Sequence, residues 1–422
     1  MRKTKIVLSV LLFLLLAVAL GPLALPSSFY EERLGPVLQR MTHGNVKAGQ
    51  INFEYTPAPA LIIRNVVLDS DPAVGQIERI VVPVNAYNVF NWGKALRNVT
   101  IEGGHFSPTY ALSLPQRLKP EADTPRMADL GLVNCSVAVG KRDLGPASGK
   151  ISFDKAGALA EVMLSDQENR LELHIEPKDA VFALTLNARN WELPFGYPIK
   201  FDGLLLKGIA NSAGIVIEDI RGDLYSGIVT GNAQVSWGSE GWQLSGVVRT
   251  NGLQSEPLSM VFSNSTHISG RMVGEAKFAY HAVDYPQLFD SPAIDATLQF
   301  KDGLVHNLDL VSPLKSQGGN YGGGQTRFDT LNTLLQVRPG TVQFNKIAIE
   351  GGKFRANGSL AIGKERKLNG GFAAQVSSGS LVVSNQMQVG GELSRPQVRT
   401  GAAYRPRGGE ASMASPQETA PQ

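Results

Sequence analysis

From about Lys47 to Thr400 the chain alternates apolar and polar residues with a period of two, and this alternation limits the fold more than any other feature. Leu171-Glu172-Leu173-His174-Ile175-Glu176 is one such run, and Ile294-Asp295-Ala296-Thr297-Leu298-Gln299-Phe300-Lys301 is another. Successive side chains of a strand point to opposite faces, so these runs predict strands with one dry face and one wet face. Turn-favouring dipeptides recur: Gly103-Gly104, Asp202-Gly203, Gly222-Asp223, Asp302-Gly303, Pro339-Gly340, Gly351-Gly352 and Asn369-Gly370. They read as hairpin following hairpin. Plentiful glycine (45) and proline (24), with only 18% charged residues, agree with a turn-rich β chain. Beyond the N-terminal region, helix is expected only near Tyr87 to Lys94 and around Tyr285 to Asp290.

At about ten to twelve residues per strand and turn, this region holds on the order of thirty strands, more than an open twisted sheet usually carries without curling or splitting. Its apolar face is penalised by water at roughly 25 cal/mol per Å², and there are few helices to cover it. The expected fold class is therefore mainly β: an N-terminal transmembrane helix, then a long, curled, mostly antiparallel β-sheet forming an elongated groove, with few short helices. Aromatic residues are only 7% of the chain, and the inward positions are mostly Leu, Val, Ile and Ala. Such residues line a trough more readily than they fill a wide one. The candidate groove-lining residues are Leu171, Leu173, Ile175, Ile294, Leu298, Phe300, Val342 and Phe344. A sandwich filled by its own side chains fits the same pattern, so groove and sandwich both stay open.

Basic residues Arg2, Lys3 and Lys5 precede an apolar run from Ile6 to Leu25. About 20 apolar residues at about 1.5 Å each match the hydrocarbon thickness of a bilayer. Residues 1–26 are read as a transmembrane anchor, with Ile6, Leu8, Leu11, Phe13, Leu15, Val18, Leu20 and Leu25 as its anchoring residues. Cationic flanks stay in the cytoplasm, so the rest of the chain is delivered across the membrane. Ala17-Val18-Ala19 supplies the small residues of a cleavable signal peptide, which is the alternative.

Residues 27–46 are expected to form a short amphipathic helix. Ser28 and Glu31 have capping-box spacing, Phe29, Leu34, Val37, Leu38 and Met41 give the stripe, and Gly35-Pro36 should break or kink it. Residues 47–316 then form the N-terminal and central part of the sheet, 317–324 a Gly-rich loop, and 325–400 a C-terminal β section. Residues 401–422, nearly devoid of large apolar side chains, are expected to be disordered. Val99-Thr100-Ile101-Glu102-Gly103-Gly104-His105-Phe106 and Ile347-Ala348-Ile349-Glu350-Gly351-Gly352-Lys353-Phe354 resemble each other, each reading as strand, Gly-Gly turn and returning strand.

Signals for chemistry are few. The single cysteine, Cys135, excludes an intramolecular disulfide, and its strand-like setting predicts a buried, inert thiol. The six histidines, His43, His105, His174, His267, His281 and His306, include no H-x-x-x-H pair and read as wet-face residues rather than metal ligands. Gly358 to Glu365 has the G-x-x-x-x-G-K spacing of a phosphate loop, but Glu365 replaces the Ser or Thr that would hold magnesium, and the surroundings read as hairpin. A net charge of +3 gives no support for nucleic acid as a partner. No catalytic constellation emerges, so the expectation is a non-enzymatic protein without metal or cofactor.

The basic N-terminus, spanning segment and short helix are followed by Phe53-Glu54-Tyr55-Thr56-Pro57-Ala58-Pro59-Ala60-Leu61-Ile62-Ile63-Arg64-Asn65-Val66 and Gln76-Ile77-Glu78-Arg79-Ile80-Val81-Val82-Pro83-Val84. With Val99 to Phe106, this order resembles the AsmA-like proteins of diderm bacteria. Arg221-Gly222-Asp223-Leu224-Tyr225-Ser226-Gly227, Thr326-Arg327-Phe328-Asp329-Thr330-Leu331 and Gly391-Glu392-Leu393-Ser394-Arg395-Pro396-Gln397-Val398 look like that family's C-terminal half. The resemblance implies an inner-membrane-anchored periplasmic protein, similar to bridge-like lipid-transfer proteins. Such a protein would bind phospholipid as cargo and support its movement toward the outer membrane, with an outer-membrane or periplasmic protein as a further partner. The alternative is a membrane-anchored scaffold or assembly factor for an outer-membrane or secretion machine, docking partners through strand edges.

Overall fold

The computed structural model describes residues 21–400 apart from 43–45, 56, 92, 120–125, 140–141, 316–318 and 379–380. The expected anchor positions Ile6, Leu8, Leu11, Phe13, Leu15, Val18 and Leu20 and the tail 401–422 lie outside the described residues, as do the side chains of Val37, Leu38 and Met41. Among the described residues no helix is long and apolar enough to cross a membrane. Leu25 follows a 3-10 turn at Gly21–Ala24 and is exposed.

The described chain is mainly strand, with 22 strands in large sheet structure and one separate two-stranded pair. Helix α1 (Ser27–Thr42) leads into β1 (Gln50–Tyr55), β2 (Pro59–Val67) and β3 (Gly75–Pro83). Then come α2 (Ala86–Phe90), β4 (Ala95–Leu96), β5 (Val99–Phe106), α3 (Pro108–Arg117), β6 (Arg126–Met127) and β7 (Asp129–Val139). An uninterrupted series follows: β8 (Arg142–Phe153), β9 (Leu159–Asp166), β10 (Leu171–Lys178), β11 (Val181–Glu192), β12 (Lys200–Ala210), β13 (Gly214–Leu224), β14 (Gly227–Gly238) and β15 (Gly241–Gln254). After α4 (Ser255–Phe262) come β16 (Ile268–Ala282), β17 (Ala293–His306), β18 (Asn320–Gly322), β19 (Gln325–Arg338), β20 (Thr341–Gly351), β21 (Phe354–Ile362), β22 (Leu368–Ser378), β23 (Leu381–Glu392) and β24 (Arg395–Thr400). The chain divides into two compact units, Met1–Leu253 with Glu275–Ile294, and Gln254–Gly274 with Asp295–Gln422.

In the first unit β1, β2, β3 and β5 pair antiparallel in that order, and β7 through β15 each pair antiparallel with the next. Between these runs β5 and β7 are parallel. A parallel pair needs a crossover, and α3 lies in it. Ile51, Ile63, Val66, Leu68, Ile77, Tyr110 and Cys135 form a buried core here, closed from one side by Tyr30 and Leu34 of α1. The expected stripe of α1 is thus corrected at its start, because Tyr30 is buried while Phe29 is exposed. Gly35-Pro36 does not end the helix, which runs on to Thr42. The carbonyl that Pro36 leaves without a donor belongs to exposed Glu32, where water reaches it. On the outer face, Arg64 pairs with Glu54 and Arg79 with Glu102, and the two arginines sit opposite each other in register. The Arg64 hydrogen bond holds the Glu54 carboxyl below its ordinary range.

In the second unit β19 to β24 pair antiparallel in sequence, and β18 adds to β24. Residues 320–322 were expected in a loop; they form this short edge strand because their amides find the free edge of β24. The 3-10 turn Ser312–Lys315 packs on β22, β23 and β24, and Leu308, Leu310 and Leu314 are buried with Met387, Val389 and Val398. Thr326, with no exposed surface, fastens this connection: its Oγ1 donates to the Leu308 carbonyl at 2.8 Å and accepts from the Leu310 amide at 2.9 Å.

The described chain has 24 strands rather than about thirty, because most of the glycine dipeptides do not turn. Pro339-Gly340 and Gly351-Gly352 make hairpin turns, but Gly103-Gly104, Asp202-Gly203, Gly222-Asp223, Asp302-Gly303 and Asn369-Gly370 lie inside β5, β12, β13, β17 and β22. Several of these glycines make room for aromatic rings. A β-carbon on Gly222 would come within 2.9 Å of the Phe201 ring, and one on Gly303 within 2.5 Å of Phe328. Gly103 sits at φ +63, a backbone conformation that favours glycine, at the one position missing from the β3–β5 ladder, whose register is the same on both sides. Val99 to Phe106 is therefore one continuous strand, unlike its hairpin counterpart Ile347 to Phe354. Helices α3 and α4 were not expected, while the Tyr87 and Tyr285 regions hold α2 and a 3-10 turn as expected. Gly358 lies within β21 and Glu365 in a 3-10 turn, so the phosphate-loop spacing has no strand-loop-helix setting.

Two predictions follow from this packing. Thr326→Val removes the shared hydroxyl without a cavity and leaves the Leu308 carbonyl and Leu310 amide unpaired, which should cost about 1–3 kcal/mol in denaturant unfolding. Burial pushes the Cys135 thiol up in pKa, so a thiol-specific disulfide reagent should titrate it only after unfolding.

Candidate apolar binding face

The register of β8 to β15 places one apolar side chain after another across the sheet. Gly149, Leu164, Leu173, Leu186, Leu206, Ile220, Gly231 and Val248 form one cross-strand row. Beside it runs a second row: Ile151, Val162, Ile175, Leu184, Gly208, Ile217, Ala233 and Gly246. Neither contains a polar side chain. A row on the opposite face reads Ser148, Ser165, Glu172, Asn187, Leu205, Arg221, Thr230 and Arg249, in which Leu205 is the one apolar member.

Strict alternation would have turned the apolar set outward halfway along β13, since Ile217 and Ile220 are three residues apart. A bulge at Glu218 absorbs the extra residue and keeps both isoleucines on the same face. Leu164, Leu173, Leu184, Leu186, Leu206, Ile217 and Ile220 are half-buried, whereas Ile151 and Val162 of the second row are buried members of the core near α1, with Leu164 and Ile175 packed against it. The two rows extend over seven strand intervals, about 34 Å at the usual spacing.

Helix α3, in the crossover between β5 and β7, has side chains in two apolar clusters. Ser107 caps it, Oγ accepting from the Tyr110 amide at 3.2 Å, and Pro108 supplies a preset first turn. Tyr110 stacks on Phe106 with centroids 5.9 Å apart, and Arg117 lies over the Tyr110 ring while forking onto Asp69 at 2.7 and 3.2 Å. These contacts pin α3 to the β5 side. Yet Leu112, two residues from Tyr110, packs against the cluster of Trp242, Ala282 and Leu288, whose Trp242 lies on β15. Trp237 and Trp242 are cross-strand partners with rings 5.3 Å apart, Tyr285 meets Trp242 at 4.8 Å, and Phe289 stacks on Phe195 at 4.6 Å.

The expected lining residues fall as follows. Leu171 is buried, and Leu173 and Ile175 are half-buried, all three on the face just described. Ile294 is half-buried at the start of β17. In the second unit Leu298 is half-buried and Phe300 buried, both on the same side of β17 as Ala296; Val342 and Phe344 are half-buried on β20, opposite Ile362 and Leu360. The sequence reading missed Leu112 and the aromatic cluster. Ser107-Pro108, a capping residue before a first-turn proline, was the available signal for α3.

Two groups of side chains have the composition of a cation site: Glu161, His174 and Glu176 in the first unit, and Glu256, His267 and His306 in the second. In the former, His174 Nε2 already lies 2.9 and 3.1 Å from both carboxylates on the open outer face. No protein-family model, curated protein or solved structure matches this chain.

Burial pushes the Tyr285 phenol up to about 12. The unfolded phenol ionises near 10, so the folded state holds its proton more tightly, and stability present below about pH 10 is lost as pH rises toward 12. Tyr285→Phe removes this ionisation and should move the alkaline unfolding midpoint to higher pH, as read by tryptophan fluorescence.

Proposed function

We propose that this chain is a lipid-binding, lipid-transferring protein, without enzymatic activity, whose first unit receives acyl chains against the β8–β15 face. The observation that carries this reading is the pair of rows without a polar side chain, whose leucines and isoleucines are half-buried from β10 to β13. Supporting it is a matter of distance. From β7 to β15 there are eight strand intervals, about 38 Å if the sheet were flat, whereas α3 has ten residues and is about 15 Å long. Tyr110 packs in the core beside β5, and Leu112 packs against the cluster that holds Trp242 of β15; we read this as the sheet of this unit bending back toward the helix, so that the apolar rows line a groove.

An acyl chain fits such a surface because each methylene removed from water contributes about 0.8 kcal/mol and needs no polar partner. One leaflet contributes about half of a roughly 30 Å hydrocarbon core, so a row of about 34 Å is long enough for more than one tail. The polar head group stays at the wet opening. The apolar run Ile6–Leu25 behind Arg2, Lys3 and Lys5, together with the resemblance to the AsmA-like family, supports an inner-membrane anchor with the bulk of the chain in the periplasm. In that setting the cargo is phospholipid, and the process served is phospholipid transport and outer-membrane homeostasis.

The test is photocrosslinking in cells from Leu173, Leu186 and Leu206, with outward-facing Thr185 and Lys207 as controls, combined with lipid analysis of the purified chain. Phospholipid adducts confined to the inner positions are expected, and Leu186→Trp, which narrows the groove while staying apolar, should reduce them several-fold. Equal labelling on both faces, or a stoichiometric protein partner with no lipid, would overturn the reading in favour of a docking scaffold.

A further inference from the structure

Two of the six histidines, 39 residues apart in sequence, meet in the second unit. The rings of His267 and His306 stack with centroids 4.3 Å apart and an interplanar angle of 17°. Glu256 Oε1 lies 3.6 Å from His267 Nε2, and one ligand atom from each of the three residues falls within 4.8 Å of the others. The His267 side chain is only 13% exposed, so it is not the wet-face residue that the sequence pattern suggests.

We propose that Glu256, His267 and His306 form a binding site for a divalent transition-metal ion of the zinc type. The hydrogen bonds around the cluster argue for it. His267 Nδ1 lies 3.2 Å from the Asn264 carbonyl, an acceptor only, so this nitrogen carries the proton. Nε2 is then the atom that faces the Glu256 carboxylate, so a nitrogen ligand and an oxygen ligand are directed at one place. His306 is oriented by Ser269, whose Oγ is 2.9 Å from Nε2. A ring nitrogen engaged by a backbone carbonyl or a polar neighbour while the remaining one is left for an ion is the usual arrangement around metal-bound histidine.

The carboxylate is held by the fold as well. Glu256 stands in the first turn of α4, and both Ser255 and Ser259 of that helix donate to the Ile268 carbonyl, at 3.0 and 2.9 Å, tying α4 to the start of β16. Two imidazoles and one carboxylate are a ligand set zinc accepts once one imidazole turns out of the stack to bring both lone pairs to the ion, and the half-exposed carboxylate leaves a position open to water.

Calorimetric titration of the purified chain with Zn²⁺ at about pH 8, where imidazoles are neutral, should give one ion per chain; Co²⁺ in its place should produce a visible d–d spectrum. Glu256→Gln, at a half-exposed position that leaves the fold intact, and His306→Gln should each weaken binding by at least tenfold, and Ser269→Ala by about 10–100-fold through loss of ring orientation. The proposal fails if the wild-type chain takes up no ion, or if the Glu256→Gln chain with an unchanged circular dichroism spectrum binds Zn²⁺ as tightly as wild type. Because no lipid enters the measurement, its outcome is independent of the groove.

Discussion

The reluctance of water to accept a broad apolar sheet face governs this structure. Strand after strand carries one greasy side, and four α-helices among the described residues cannot blanket it. The two units answer differently. In the second, the connection Leu308 to Leu314 lies down on β22–β24 and is clamped by Thr326, so the chain covers itself. In the first, α1 closes the core of β1–β3, while from β10 to β13 the leucines and isoleucines of the two rows stay half-buried. The proposal of an apolar guest in the first unit rests on this partial coverage.

Keeping every apolar residue on one side for so long demands local corrections. The bulge at Glu218 and the register shift between Phe344 and Ile347 both rescue a three-residue spacing that would otherwise flip the pattern. Interior glycines serve a related end. By giving up their own side chains, Gly222 and Gly303 leave room for the rings of Phe201 and Phe328. Such strand glycines weaken local propensity, and the aromatic contact across the ladder compensates.

Polar chemistry is confined in the same way. The charged pairs Arg64–Glu54, Arg79–Glu102 and Arg249–Glu275 all involve partly exposed side chains, where water and salt limit their contribution to stability. The stacked His267 and His306 differ because they meet where α4 covers the entry to β16, partly shielded from solvent.

The period-two pattern in runs such as Leu171 to Glu176 was enough to establish a mainly β chain and to place Leu171, Leu173 and Ile175 on one face, because side-chain direction in a strand depends only on residue parity. A buried Cys135 was legible for the same reason. What parity cannot carry is anything set by a neighbour distant in the chain. Whether Gly222-Asp223 turns or continues depends on Phe201 across the ladder; the meeting of Leu112 with the cluster of Trp242, Ala282 and Leu288 depends on elements far apart in the chain; and the approach of His267 to His306 depends on β16 and β17. Local sequence decides which side of each strand is dry, and long-range packing decides what that dry side meets.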